Sequence, residues 1–154
     1  MKKLVDTLTS EFRFLIDNYD FSVIETREDP AFFNNALVVL RSPAFDIRIT
    51  RDRGQRIVDI RRAGCDWHLL SYTLEFVDHS IDRAGSGKPP RLSLLADCLR
   101  RNISAVSDLF SSESALQALS DYAITIARMA SVTDSQLVSK PHRRRWWHFG
   151  SRPS

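Results

Sequence analysis

Residues 45–61 constrain the fold more than any other stretch, because they alternate in polarity and read as two short strands around a tight turn. Gly54 can adopt a positive φ without steric cost, so we place Arg53-Gly54 at the turn. Residues whose numbers sum to 107 then face each other across the strands. The apolar pairs are Ile49–Val58 and Ile47–Ile60, and the opposite-charge pairs on the other face are Arg48–Asp59 and Asp46–Arg61. The pattern predicts a β-hairpin in this register; a three-residue loop with a bulge is the alternative and fits the alternation less well.

The remaining periodicity predicts an α+β fold, in which a four-stranded antiparallel meander sheet is packed by an N-terminal helix and three C-terminal helices. The connections between strands are too short for parallel crossovers, so sequential strands neighbour one another. The expected strands are residues 21–26, 35–41, 45–51 and 56–62, and the expected helices are residues 2–18, 66–81, 91–110 and 113–131. We therefore expect one domain over residues 1–132 and a disordered, flexible basic tail over residues 133–154.

The three C-terminal helices carry more detailed predictions. Asp66 can cap the helix over residues 66–81, whose apolar stripe begins at Trp67. The helices over residues 91–110 and 113–131 are joined by a short connection, which predicts an antiparallel pair that docks on the sheet or on the preceding helix.

Phe32 and Phe33 follow a loop at Asp29-Pro30. A pair of aromatic side chains close to a loop can cover the edge of the core or form an exposed binding patch. We expect the first of these, a lid over the edge of the core.

The composition is that of a globular protein of about one domain, with 154 residues of which 43% are hydrophobic and 27% charged. No apolar run approaches the ~20 residues that a membrane-spanning helix needs. Lys2 and Lys3 are followed by Asp6 before any apolar segment, which does not fit a secretory signal. Two cysteines are too few for a disulfide scaffold, so we expect a reducing, cytoplasmic setting.

The positive charge belongs to one end of the chain. Five of the 22 Lys and Arg residues follow residue 139, and none of the 19 acidic residues does. The rest of the chain therefore carries 17 basic and 19 acidic residues, a net charge of −2. A basic average does not make this body a nucleic-acid-binding domain.

Residues 140–149 combine a run of arginines with two tryptophans and are the strongest sequence signal outside the core. An anionic membrane attracts each basic residue by about 1 kcal/mol and seats tryptophan at its interface. On single-stranded nucleic acid, arginine neutralises phosphate while indoles stack on bases. A disordered end without a target, or an end that folds back onto the body, is the alternative to both functions. The candidate binding residues are Arg143, Arg144, Arg145, Trp146 and Trp147.

The hairpin turn offers a second group of candidate binding residues. Arg51 and Arg56 face each other beside the turn, and Arg53 lies at its tip. Directly opposed like charges are destabilising, so this end of the hairpin should prefer an acidic neighbour, either within the chain or on a partner. An ordinary solvated turn is the simpler interpretation.

No sequence motif assigns a catalytic residue, a metal or a cofactor. Residues 85–88 resemble the end of a phosphate-binding loop, but Asp82 stands where its first glycine should be and Pro89 replaces its Ser or Thr. Cys65 and His68 lie three residues apart without a second pair of zinc ligands and without an orienting group for nucleophilic catalysis. An enzyme of unrecognised type is therefore our third functional hypothesis.

The first 62 residues have a recognisable layout. It is carried by Phe12 and Leu15 in the first helix, Tyr19-Asp20-Phe21, Leu37-Val38-Val39-Leu40 with Arg41-Ser42, and Phe45, Ile47 and Asp52-Arg53-Gly54 in the hairpin. This layout resembles a loose group of short, mostly uncharacterised bacterial α+β proteins, some of which are described as immunity proteins beside toxin genes. The resemblance transfers no site residue, but it implies a non-catalytic intracellular protein that binds another protein. That is our first functional hypothesis, and binding of nucleic acid or an anionic membrane through residues 140–149 is the second.

Overall fold

The hairpin forms in the predicted register in the computed structural model, which describes residues 2–79 and 90–134. Its strands are β3 (Asp46–Asp52) and β4 (Gln55–Arg61), and all seven residue pairs are those expected. Arg53 and Gly54 both have a positive φ, 49° and 82°. They form a two-residue turn whose twist suits the two strands, so the three-residue loop does not occur.

The sheet has five strands, where the sequence predicted four. β1 (Ser22–Asp29) and β2 (Asn35–Arg41) precede the hairpin, and β5 (His68–Leu69) pairs with the far side of β4. The strand order is β1-β2-β3-β4-β5, and every neighbouring pair is antiparallel. The α+β class and the meander are therefore confirmed, whereas the fifth strand is too short to show an alternating sequence pattern.

The helix predicted from residue 66 begins four residues later, as α3 (Leu70–Val77). His68 and Leu69 pair with β4, so the chain is extended where the helix was expected to start. The prediction that Asp66 caps this helix is wrong, because the residue before α3 is Leu69 and no side chain caps the helix. Trp67 therefore lies outside the helix and is free to pack elsewhere on the sheet.

The single N-terminal helix expected over residues 2–18 is two helices, α1 (Lys2–Thr9) and α2 (Arg13–Asn18). The hydroxyl groups of Thr9 and Ser10 donate hydrogen bonds to backbone carbonyls four and three residues earlier, at 2.7 and 2.9 Å. Such bonds compete with the helical ladder and favour a break. The break places Phe12 in the core, where it is fully buried.

The two long helices are α4 (Leu92–Ser111) and α5 (Glu113–Asp134), separated by a single residue. α4 packs against α3 and β4. The predicted apolar stripe of α4 is buried at Leu95 and Leu99, and the start of α5 is buried at Leu119. Within the described ranges, no helix is both long and apolar enough to cross a membrane.

One face of the sheet forms the hydrophobic core. Val38 and Ile49 are fully buried there, in the same cluster as the buried apolar side chains of the helices. Side chains alternate along a strand, so Val39 points to the opposite face, and it lies outside that cluster although it is 4% exposed. The helices whose buried side chains belong to this cluster therefore pack on the face of Val38 and Ile49, and the second face carries Asp46 and Arg48.

The chain divides into two compact units, Met1–Ala123 and Ile124–Ser154. The first contains the sheet and the core. Of the second the structure describes residues 124–134, the C-terminal half of α5, where Ile124 and Met129 are exposed. Most of the predicted tail, and the segment 80–89 with its Gly-Ser-Gly-Lys motif, lie outside the described residues.

Candidate functional site

Two turns meet at one end of the sheet. The β1–β2 turn (residues 30–34) and the β3–β4 turn (residues 53–54) lie side by side because the meander brings alternate turns to the same end. The Arg51 guanidinium donates two hydrogen bonds across this gap to the backbone oxygen of Asn34, at 2.9 and 2.5 Å. The backbone N–H of Arg53 donates to the side-chain oxygen of Asn35 at 2.8 Å. The hairpin thus holds the preceding turn in place.

The β1–β2 turn presents two aromatic side chains to solvent. Phe32 is 62% exposed and Phe33 is 72% exposed, so the prediction that they form a lid over the core is wrong. Phe33 and Asn34 both have a positive φ, 54° and 53°, which turns the chain tightly and leaves the rings outside. A positive φ is uncommon for a bulky residue and costs of order 1 kcal/mol or more, so the surrounding hydrogen bonds must compensate for it.

The three arginines predicted at the hairpin turn lie beside these rings. The Arg53 guanidinium carbon is 5.9 Å from the centre of the Phe33 ring, near the outer limit of a cation–π contact. Arg51 faces Arg56 across the strands as predicted, but its neighbour is the carbonyl of Asn34 rather than an acidic side chain. Arg56 is exposed and forms no ion pair with any described residue. We name this surface the Phe/Arg end, defined by Phe32, Phe33, Arg51, Arg53 and Arg56.

Acidic residues balance the charge of the Phe/Arg end. Glu28 and Asp29 end β1, and Asp52 ends β3, so three carboxylates lie at the same end of the sheet as the three arginines. One carboxylate oxygen of Glu28 and one of Asp52 are buried without a hydrogen-bond partner among the described residues. Unpaired buried oxygens and strained backbone lower stability, and their concentration at one end of the sheet is typical of a functional surface.

The second face of the sheet carries a different group of charges, the Arg/Asp/Trp cluster. Its members are Arg41, Asp46, Arg48, Asp59, Arg61 and Trp67. The fully buried Asp46 carboxylate accepts hydrogen bonds from Arg41 at 2.8 and 2.9 Å and from Arg61 at 3.2 Å. Arg48 donates to Asp59 at 2.8 Å. Both predicted cross-strand charge pairs are therefore confirmed.

Trp67 lies over two guanidinium groups of this cluster, with its ring centre 4.4 Å from Arg48 and 4.3 Å from Arg61. Burial alone would raise the pKa of the Asp46 carboxyl, but the hydrogen bonds and charges of Arg41 and Arg61 together lower it below its usual value. Every charge in the cluster has an opposite charge or a ring beside it. Because these groups satisfy one another, the cluster stabilises the sheet and leaves little to bind a ligand.

The remaining chemical candidates do not assemble into a site. His68 is half-buried, and burial lowers its pKa against the smaller opposing effect of Asp66. The buried thiol of Cys98 accepts a hydrogen bond from the guanidinium of Arg101 at 3.3 Å. Cys98 is also far from Cys65 in the sequence. Within residues 2–79 and 90–134, no three His, Cys, Asp or Glu side chains lie close enough together to hold a metal ion. The predicted tail residues 143–147 lie outside the described residues.

No protein-family model, curated protein or solved structure matches this chain. Phe32 and Phe33, which the sequence prediction placed as a lid over the edge of the core, are the functional candidates that it did not select. The signal available was the pair Asn34-Asn35 directly after them, since asparagine tolerates the left-handed conformation and favours turns. A tight turn at that position would have placed the rings outside the sheet.

Proposed function

We propose that this chain is a non-catalytic binding protein whose partner is another protein, and that the Phe/Arg end is its contact surface. The observation that carries the proposal is the pair of exposed rings, Phe32 and Phe33, on a turn that Arg51 ties to the neighbouring hairpin. Aromatic and arginine side chains supply most of the energy in protein–protein contacts. A turn that is already ordered loses little conformational entropy when a partner binds.

The charge distribution favours a protein partner over a polyanion at this surface. Nucleic-acid binding depends on cations that are free to neutralise phosphate. Here Glu28, Asp29 and Asp52 offset the three arginines, and Arg51 already bonds to a carbonyl. The fitting partner has an apolar pocket for the two rings, with acidic side chains at its rim for Arg53 and Arg56.

We propose further that the protein acts as an immunity-type protein. The resemblance of residues 1–62 to immunity-type proteins supports it, and the partner would then be a toxin neutralised by stoichiometric binding. A cytoplasmic setting belongs to the same proposal, and the two free cysteines, Cys98 buried and Cys65 half-buried, support it.

The arginine and tryptophan run at residues 140–149 supports a second proposal, binding of single-stranded nucleic acid or an anionic membrane. Its chemistry differs from that of the Phe/Arg end because it carries no acidic residue. Five phosphate contacts would give a slope of about −3.5 in log affinity against log salt, at about −0.7 per contact. Salt-sensitive binding to oligonucleotides would favour nucleic acid as the target, and salt-sensitive binding to anionic vesicles would favour a membrane.

The test begins with affinity capture from the native host by the full chain and continues with titration of the purified captured protein. We expect a complex of fixed stoichiometry that survives deletion of residues 140–154. Phe32→Ala with Phe33→Ala should weaken it by at least about 30-fold, the loss typical of a hot spot. Arg53→Glu with Arg56→Glu should weaken it through lost charge complementarity.

Matched controls come from exposed residues elsewhere. Leu94 is 46% exposed on α4, and Arg13 is exposed on α2, so Leu94→Ala and Arg13→Ala should leave the affinity unchanged. If deletion of residues 140–154 abolishes all binding while the phenylalanine variant binds normally, the tail is the binding element and the Phe/Arg end is not.

A further inference from the structure

β1 is the long open edge of the sheet. It spans eight residues, pairs in the sheet only with β2, and has exposed or only partly buried residues along its whole length. The opposite edge, β5, has two residues. An open edge exposes unpaired backbone donors and acceptors, and most proteins shorten, cover or charge such a strand. β1 also exposes apolar side chains, since Val23 and Ile24 are each 44% exposed.

The charge pattern of β1 is complementary to itself. Glu25 and Arg27 share the second face of the sheet, because they pair with Val39 and Leu37 of β2. Two copies of β1 related by a two-fold axis through Thr26 would run antiparallel. Glu25 of each copy would then lie directly opposite Arg27 of the other, and the two Thr26 residues would face each other. Opposite charges and threonine pairs are favourable directly across strands.

The neighbouring registers lack this complementarity. A two-fold axis through Glu25 sets the two Glu25 carboxylates opposite each other, and an axis through Arg27 opposes the two Arg27 side chains and sets Glu25 against Asp29. Like charges directly opposite each other are destabilising. The β1 bulge at Ile24 lies outside the central residues 25–27, which continue the regular pairing with β2.

We propose that β1 is a homodimerisation edge, along which a second copy of this chain pairs antiparallel about Thr26 to form one continuous sheet from two five-stranded halves. The antiparallel arrangement sends the two Phe/Arg ends to opposite ends of the joined sheet and leaves both free. Because the pairing is short, the dimer is weak and dissociates in the micromolar range. This inference is independent of the proposed function.

Reversing the charge at position 25 or at position 27 tests the proposed dimer, because each reversal changes the charge pairs between the two copies. In Glu25→Lys, positions 25 and 27 are both positive, and in Arg27→Glu both are negative. Each variant should therefore repel its own copy and associate more weakly than the wild type. An equimolar mixture should recover the dimer, because position 25 of one variant then faces the opposite charge at position 27 of the other. Both variants lose the intrachain Arg27–Glu25 contact of 2.6 Å, so recovery on mixing cannot come from it.

The measurement is sedimentation equilibrium of the full chain from about 1 to 200 µM, with thermal unfolding to confirm that every variant folds. We expect dimerisation in the wild type, at least a tenfold weaker association in each variant, and wild-type association in the mixture. A wild type that stays monomeric throughout, single variants that dimerise normally, or a mixture that stays monomeric would each overturn the proposal. The variant Phe32→Ala with Phe33→Ala should dimerise normally, which separates this edge from the Phe/Arg end.

Discussion

The guanidinium of Arg51 turns toward the backbone carbonyl of Asn34, which lies 17 residues earlier in the chain. This contact has two stabilising effects. It gives Arg51 an acceptor although Arg56 faces it across the hairpin, and it holds Asn34 in a left-handed conformation. The exposed aromatic turn is therefore held by a cation from the neighbouring hairpin as well as by its own hydrogen bonds, such as that from the Asn35 N–H to the Phe32 carbonyl oxygen at 3.0 Å.

Replacing Arg51 by alanine should destabilise the protein by about 1 kcal/mol, because two hydrogen bonds to a carbonyl are lost. The loss should concentrate at residues 30–34, as faster amide hydrogen exchange there. Arg56→Ala is the matched control, since Arg56 forms no ion pair with a described residue, and it should change stability by less than about 0.5 kcal/mol. Equal effects of the two variants would contradict the role given to Arg51.

Asp46→Asn should cost about 3 kcal/mol at neutral pH, because it removes the buried countercharge of Arg41 and Arg61. The pKa of this carboxyl is lowered in the folded state, so its contribution is fully present above about pH 4 and is lost as the pH falls through the folded value. The stability difference between wild type and variant should therefore shrink in acid.

Denaturant unfolding at several pH values measures this difference. Asp97→Asn provides the control, since Asp97 is exposed on α4 and lies 3.6 Å from Arg100. It should alter stability little at any pH. A difference between wild type and Asp46→Asn that stays constant into strong acid would contradict the assignment.

The hairpin could be predicted in full because its information is local. Its alternation, its glycine and its two charge pairs all require the same register, and a slip of one residue would break every one of them. β1 and β2 were predicted within a few residues for a similar reason. Agreement among independent local signals identifies such an element.

The Phe/Arg end could be predicted only in part, because it depends on contacts between distant residues. The sequence placed Arg51, Arg53 and Arg56 at one turn, but the exposure of Phe33 follows from a backbone conformation held by another hairpin. β5 was not predicted from the sequence, because the pairing of His68 and Leu69 with β4 outweighed the helical pattern that begins at Asp66. At β5 a tertiary contact therefore outweighed local preference.

His68→Gln should remove a pH dependence of stability. Burial lowers the pKa of His68 below its ordinary value of 6.5, so the unfolded state binds the proton more readily. The contribution of the neutral imidazole is present above pH 6.5 and is lost as the pH falls toward the folded value. Wild type should lose more stability than the variant on acidification through that window. Equal losses of stability in wild type and variant on acidification would contradict the role given to His68.

Substitutions of Trp67 test whether the second face of the sheet contributes to stability rather than to binding. Its ring lies over Arg48 and Arg61, and each such contact contributes about 0.5–1 kcal/mol at an exposed site. Trp67→Ala should therefore lower stability by about 2 kcal/mol, including the lost burial, whereas Trp67→Phe keeps a ring and should lose about half as much. Thermal and denaturant unfolding measure both. Neither variant should weaken the proposed complex with a protein partner, because Trp67 lies away from the Phe/Arg end. A variant that folds as stably as wild type but no longer binds the partner would move the contact surface to the second face of the sheet.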